Sequence, residues 1–200
     1  MVSLLQIINL DIMYARFFIT LFFSMSFFAF AKEMIVKDLD GDGKFDKITI
    51  NQETKTIDYL LSSSAYKKQT SLPFTELSKD ASLEETKNGF KFENNIGTTV
   101  FTSFFRYNKK ENNIVLVALK RKIVSNDYST ENGESSFDTV SKEFVGKWNR
   151  LDQSTNKVIA LPTLKAKIDL ENVSLNNFND NYLKKFEQQS LTFYKAEIAK

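Results

Sequence analysis

The sequence predicts a mainly β protein, an antiparallel meander with a C-terminal α-helix. Three observations support this prediction. Short segments rich in Ile, Val, Phe, Tyr and Thr recur beyond residue 32, either alternating with polar residues or as brief apolar runs. Polar runs separate these segments, and only the last part of the chain carries a helical apolar pattern. The pattern leaves a sandwich, a barrel and a partial, propeller-like arrangement open.

Eight segments are predicted to be strands. Each is bounded by polar or turn-forming residues, and Pro73 and Pro162 lie at strand boundaries, where proline is tolerated. The predicted strands are residues 34–36, 47–50, 57–61, 89–92, 100–107, 114–122, 144–149 and 158–161.

Three of these regions resemble one another, beginning at Ile48, Phe105 and Trp148. Each has an aromatic or aliphatic strand end, a short polar run and then a strand of Val, Ile or Leu. The polar run is typical of a hairpin connection. Internal duplication and a chance likeness between hairpins both remain open.

Two longer polar segments are predicted to lack regular structure. Residues 72–88 are expected to form a long connection. Residues 125–136 are expected to form an exposed, mobile loop with a turn at Asn132 and Gly133.

The tail, residues 177–200, is the one predicted helix. Asn179 or Asp180 is suited to cap its start. Its aromatic residues recur at helical spacing, so we expect them to form a stripe that packs on the sheet. The stripe consists of Phe178, Tyr182, Phe186, Phe193 and Tyr194.

The aromatic residues Trp148, Phe144 and Tyr107 have two interpretations. They suit a binding platform, but side chains of this kind pack in protein cores more often. We expect a core position.

Composition limits the function classes. The chain has 200 residues, 42% of them hydrophobic, which suits one compact domain. It has no Cys and no His, which excludes disulfides, thiolate metal sites, a Ser–His–Asp triad and the usual zinc hydrolase site. Without these groups we expect no catalysis. Its 27 basic and 25 acidic residues are interspersed, so we expect no nucleic-acid binding.

The N-terminus has the pattern of a signal peptide. Arg16 precedes the apolar run 17–28, and residues 29–31 match the small-x-small site that predicts cleavage between Ala31 and Lys32. We therefore expect a signal peptide at 1–31, with Met13 a candidate start, and a single exported domain at 32–200. An uncleaved anchor or a buried helix is the alternative. We expect a periplasmic or secreted protein with no stable membrane insertion after cleavage.

The segment after the first predicted strand has the pattern of a calcium loop. Asp38, Asp40, Asp42, Gly43 and Asp46 occupy positions 1, 3, 5, 6 and 9 of an EF-hand-like loop. We expect one structural Ca²⁺, held by the four carboxylates and the carbonyl oxygen of Lys44 at position 7. Position 12 is Thr49 instead of a bidentate Glu, which predicts weaker affinity. The alternative is an acidic turn that binds no ion.

This loop resembles the calcium loops of FG-GAP and VCBS-type β repeats. With the signal, the hairpin at 105–117 and the segment 146–149, the chain also resembles single-domain periplasmic calcium-binding proteins. Those proteins are related to immunity proteins against peptidoglycan-hydrolase effectors and are similar to lysozyme inhibitors. The resemblance implies a secreted peptidoglycan hydrolase as partner. It carries over only Asp38, Asp40, Asp42 and Asp46, as metal ligands.

Two other functions are weighed against a hydrolase inhibitor. A glycan-active enzyme would need two carboxylates about 5–10 Å apart in a pocket. The residues considered for it are Glu131, Glu134, Asp138 and Glu143. An FG-GAP-like surface interaction module would be expected to carry many repeats.

Overall fold

The computed structural model describes residues 33–125, 127–128 and 130–199, as two antiparallel sheets and a C-terminal helix. Strands make up 47% of the described residues, so the predicted mainly β fold with a C-terminal helix is confirmed. No pairing between the described strands closes either sheet into a barrel. The predicted signal peptide and its cleavage site at Ala31 and Lys32 lie outside the described residues.

The smaller sheet has four strands in the order β1-β2-β3-β4. Side chains alternate between the faces of a strand, and Ile35, Ile48 and Ile57 are fully buried on one face. The strands are β1 (Met34–Lys37), β2 (Asp46–Asn51), β3 (Thr56–Leu60) and β4 (Gln69–Thr70).

The larger sheet is an eight-stranded meander in which each strand pairs with the next from β5 to β11. The last strand, β12, pairs with the first part of β10, and β11 pairs with the last part. The strands are β5 (Ser82–Thr86), β6 (Gly89–Ile96), β7 (Thr99–Asn108), β8 (Asn113–Ile123), β9 (Asn132–Asp138), β10 (Glu143–Asp152), β11 (Lys157–Ala160) and β12 (Leu164–Lys167).

All eight predicted strands are present, with ends that differ by a few residues. Two predicted polar segments are wrong in part. Residues 72–88 contain β5, whose single apolar residue, Leu83, is buried. Residues 125–136 contain the start of β9, and Asn132 and Ser135 are buried there. β5 escaped prediction because it has only one apolar residue, and β9 because two of its three buried residues are polar.

Four hairpins share one turn. Each has a four-residue loop whose last residue has a positive φ, and the strand residue before the loop is Asn or Asp. The side-chain oxygen of that Asn or Asp accepts a backbone N–H from the loop, which is an Asx turn. The positive-φ residues are Lys55, Asn112, Lys142 and Asn156. The accepting residues are Asn51, Asn108, Asp138 and Asp152. This shared turn accounts for the likeness among the segments that begin at Ile48, Phe105 and Trp148.

The helix α1 spans Asp180–Ile198, and no described helix is long and apolar enough to span a membrane. Its N-cap is Asn179, whose side chain accepts the Asn181 N–H at 3.1 Å. The helix begins later than predicted because Leu175–Asn177 form a 3₁₀ turn and the chain is extended at 178–179. The predicted packing of the aromatic stripe is confirmed: the Phe186 ring lies 6.0 Å from that of Phe144, between centroids.

Trp148 and Phe144 are fully buried between the sheet and α1, as expected of core residues. Tyr107 is partly buried and packs against the same core. The Trp148 ring lies over Gly146, where a Cβ atom would come within 2.2 Å of the indole. The alternative of an exposed aromatic platform is therefore wrong for Trp148 and Phe144.

Candidate metal centre

The predicted calcium loop connects β1 to β2. It turns sharply at two glycines with positive φ, Gly41 at 79° and Gly43 at 85°. Residues with a Cβ atom rarely adopt this conformation. The turn predicted at Gly43 is therefore present, and Gly41 makes a second one.

The loop brings together Asp38, Asp40 and Asp42. Each offers one carboxylate oxygen, and the three oxygens all lie within 4.8 Å of one another. Oxygens bound to one Ca²⁺ at 2.3–2.6 Å lie at most about 5 Å apart, so this spacing fits the ion. Three carboxylates this close repel one another unless a cation neutralises them.

Backbone amides orient all three carboxylates. Within the loop, Asp40 accepts the N–H of Asp42 at 3.2 Å. Asp38 accepts hydrogen bonds from the N–H of Gly41 at 2.7 Å and of Gly43 at 3.0 Å. Asp42 accepts one from the N–H of Lys44 at 2.8 Å. The loop is therefore folded around its own acidic side chains.

Asp40 is the most buried of the three, with 6% of its surface exposed. Its carboxylate accepts hydrogen bonds from the Ser62 hydroxyl and the Ser63 N–H, both at 3.3 Å, in the 3₁₀ turn Ser62–Ser64 after β3. Burial raises the pKa of Asp40, but hydrogen bonds from Ser63, Asp42 and Ser62 together outweigh it and hold the pKa below 3.8. Asp40 is therefore ionised at neutral pH, as a calcium ligand must be.

Asp46, the fourth predicted carboxylate ligand, lies outside this group of three. It is 1% exposed, and both its oxygens accept backbone N–H groups. Oδ2 accepts from Leu39 at 2.7 Å, and Oδ1 accepts from Ser62 at 2.8 Å. Asp46 therefore closes the loop and ties it to the 3₁₀ turn, and its role as an ion ligand stays a prediction.

The remaining predicted ligand is the carbonyl oxygen of Lys44. This residue is exposed at the end of the loop. Thr49, in the position of the EF-hand Glu, lies within β2. The described cluster therefore supplies three carboxylates, and the Asp46 carboxylate and the Lys44 carbonyl stay predicted further donors.

No protein-family model, curated protein or solved structure matches this chain. The resemblance to FG-GAP and VCBS loops therefore rests on the loop residues themselves.

The carboxylates considered for glycan chemistry have separate surroundings. They are Glu131, Glu134, Asp138 and Glu143. Glu131 is buried and paired with Arg121 at 2.8 Å. Glu134 borders a groove on the outer face of the larger sheet and pairs with Lys147 at 3.5 Å, and the other three do not border that groove. Asp138 closes a hairpin, and Glu143 starts the strand that follows it.

Sequence reasoning missed Ser62 and Ser63, which hold Asp40 in place. Both follow β3 and lie more than twenty residues from Asp40. A run of serines carries no metal-site signal by itself. Only the pairing of β2 with β3 brings this turn to the loop.

Proposed function

We propose that this protein is an exported, non-catalytic binding protein with one structural Ca²⁺ in the loop 38–46. The observation that carries the proposal is the cluster of Asp38, Asp40 and Asp42, which offer three carboxylate oxygens within 4.8 Å of one another. The loop that holds them turns at two glycines with positive φ, Gly41 and Gly43. When bound, calcium supplies two positive charges and draws these oxygens together. Calcium is favoured over Mg²⁺ because Mg²⁺ rarely binds in a cage made by protein alone.

The ion would stabilise the junction between the loop and the 3₁₀ turn. Asp40 and Asp46 both accept hydrogen bonds from that turn, so ordering the loop also orders the chain after β3. The absence of a bidentate Glu at Thr49 favours weak binding, which suits the millimolar calcium outside the cytosol. Export rests on the predicted signal peptide, and sequencing the N-terminus of the mature protein, expected to begin at Lys32, tests it.

The test of calcium binding is thermal unfolding in EDTA and in millimolar Ca²⁺, with calorimetric titration. A ligand that binds only the folded state at 100 times its Kd adds about 2.7 kcal/mol. That stabilisation raises Tm by roughly 5–10 °C for a chain of this size. The same Tm in both buffers, with no heat of binding, would contradict the proposal.

A matched pair of variants identifies the site. Asp42→Asn keeps the oxygen that accepts the Lys44 N–H but removes a charge, so we expect normal folding in EDTA and about tenfold weaker calcium binding. Asp80→Asn, at an exposed position outside the loop, should bind calcium as the wild type does.

The proposed partner is a secreted peptidoglycan hydrolase, and its support is the family resemblance. Purified protein would be mixed with lysozymes and with peptidoglycan hydrolases of secretion systems. We expect a stable complex and loss of hydrolysis with at least one of them. If no hydrolase of the panel is bound or inhibited, the proposed partner is wrong. The calcium site is tested independently by thermal unfolding.

A further inference from the structure

A groove of about 330 Å³ beside the calcium loop is lined by four basic side chains, and we call it the cationic groove. They come from three separate segments of the two sheets. The four are Lys37 at the end of β1, Lys87 in the β5–β6 turn, Arg106 in β7 and Lys109 just after β7. Asp38 and Asp40 border the same groove, and the Lys109 ammonium lies against Gly41 of the loop.

None of these four cations lies within ion-pair distance of a carboxylate in the described part of the chain. Five described lysines elsewhere do have such partners; Lys185, for example, pairs with Glu171 at 2.8 Å. Lys37 instead donates to the carbonyl oxygens of Thr86 and Lys87, which holds the β5–β6 turn against β1. The groove therefore holds four cations against the two carboxylates of Asp38 and Asp40. This excess of positive charge attracts anions.

The groove on the outer face of the larger sheet differs in this respect. It is lined by three lysines, Arg121 and two glutamates. Lys147 is paired with Glu134 at 3.5 Å, and Arg121 is paired with Glu131 at 2.8 Å. Two of its four cations are therefore already paired with carboxylates of the protein. The cationic groove is therefore the stronger candidate for binding a charged ligand.

The surroundings of the cationic groove favour carboxylates over phosphate. Phosphate sites commonly use free backbone N–H groups in glycine-rich loops or at helix N-termini. Here the N–H groups of Gly41 and Gly43 are already donated to Asp38. Three of the four cations are lysines, point charges on flexible stems that can each meet a separate carboxylate along an open groove.

We infer that the cationic groove binds a carboxylate-rich segment of a partner protein, and that calcium in the adjacent loop strengthens this binding. The second part rests on the proposed function. Bound calcium neutralises Asp38 and Asp40, which border the groove, so it removes the negative charge that opposes an acidic ligand. By linkage, the acidic segment strengthens calcium binding by the same factor.

The test is fluorescence anisotropy with a labelled peptide of six glutamates spaced by glycine and serine, in EDTA at low salt. A peptide with glutamine in place of each glutamate is the control ligand. We expect only the glutamate peptide to bind, and its affinity to fall steeply with added salt. Equal binding of both peptides, or binding of polyphosphate without the glutamate peptide, would overturn the inference.

Variants locate the binding. Lys87→Ala and Arg106→Ala should each weaken binding of the glutamate peptide about two- to fivefold, and together about tenfold. Lys110→Ala removes a neighbouring exposed lysine that does not line the groove, so it should have little effect. Equal losses in all three variants would indicate general charge attraction and overturn the assignment to the groove.

Peptide binding measured with and without Ca²⁺ tests the groove and the calcium site separately. We expect millimolar Ca²⁺ to raise the peptide affinity of the wild type several-fold. Asp42 does not line the groove, so Asp42→Asn should keep the EDTA affinity but lose most of the increase. If the protein binds the glutamate peptide in EDTA but never binds calcium, only the proposed calcium site is refuted. A protein that binds calcium but not the peptide would refute the groove alone.

Discussion

At the scale of single residues, the hairpins depend on one Asn or Asp before each turn. Asp138 accepts hydrogen bonds from the N–H groups of Val140 at 3.0 Å and Ser141 at 2.7 Å. The backbone hydrogen bond from Ser141 is the main reason that the pKa of Asp138 lies below 3.8. The same arrangement holds the pKa of Asp152 at about 2, chiefly through the Ser154 side chain.

Replacing Asp138 tests this turn. Asp138→Ala removes the acceptor and should lower the free energy of unfolding by about 1 kcal/mol at pH 7, measured by urea denaturation. Asp138→Asn keeps an acceptor oxygen and should lose less. Because the folded pKa is lowered, the charge contribution is present above pH 3.8 and is lost as the pH falls through the folded value. If the free energy of unfolding falls equally with pH in the wild type and in Asp138→Asn, the Asp138 charge adds no stability.

At the scale of elements, a buried polar network joins α1 to the larger sheet. Arg121 of β8 donates to Glu131 at 2.8 Å and to Glu187 of α1 at 3.0 Å. The same Glu131 oxygen accepts the Trp148 N–H at 2.9 Å and the Ser190 hydroxyl at 3.1 Å. The helix is thus held by directional bonds as well as by its aromatic stripe.

Breaking the network should be costly. Arg121→Met leaves the buried Glu131 charge unpaired, and we expect a loss of about 3–5 kcal/mol in the free energy of unfolding. Adding Glu131→Gln removes that charge while keeping an acceptor for Trp148, so at least half of the loss should return. Lys185→Met breaks an exposed pair with Glu171 and should cost less than about 1 kcal/mol. An Arg121→Met variant no less stable than this control would show that the network adds no stability.

At the scale of the whole molecule, two tyrosines connect distant parts of the chain. The Tyr59 hydroxyl of the smaller sheet donates to Asn176 at 2.6 Å, and that of Tyr182 in α1 donates to the Glu171 carbonyl at 2.8 Å. Burial raises the pKa of each to about 12. The protonated hydroxyls of Tyr59 and Tyr182 therefore help to hold the sheets and the C-terminal region together.

Alkaline unfolding tests this connection. Because the folded pKa exceeds the ordinary value of 10, each tyrosine contributes stability that is present below pH 10 and lost towards pH 12. We expect the free energy of unfolding in EDTA to fall by on the order of 2 kcal/mol per tyrosine over that range. Tyr59→Phe and Tyr182→Phe should each remove the part of this pH-dependent loss that comes from the replaced tyrosine. A wild type equally stable at pH 10 and 12 would contradict the burial of both hydroxyls.

Much of the fold was predictable because its signals are local. Alternating apolar residues identified eight strands, and helical spacing identified α1. β5 was missed because it has a single apolar residue. β9 was missed because its buried positions include polar residues, such as Ser135, whose partner Ser190 lies far away in sequence. Residue spacing also predicted the group of Asp38, Asp40 and Asp42, but it did not predict that the two oxygens of Asp46 would accept backbone N–H groups.

The sequence by itself determined the strand pattern, the helix and the acidic glycine loop, because each depends on the spacing of residues within one short segment. Tertiary structure decided the support of Asp40 by Ser62 and Ser63, the burial of Arg121 with Glu131, and the cationic groove. These features join residues from separate segments. Strand register and the position of α1 bring such residues together, and a one-residue shift in register would turn each side chain to the opposite face of its sheet.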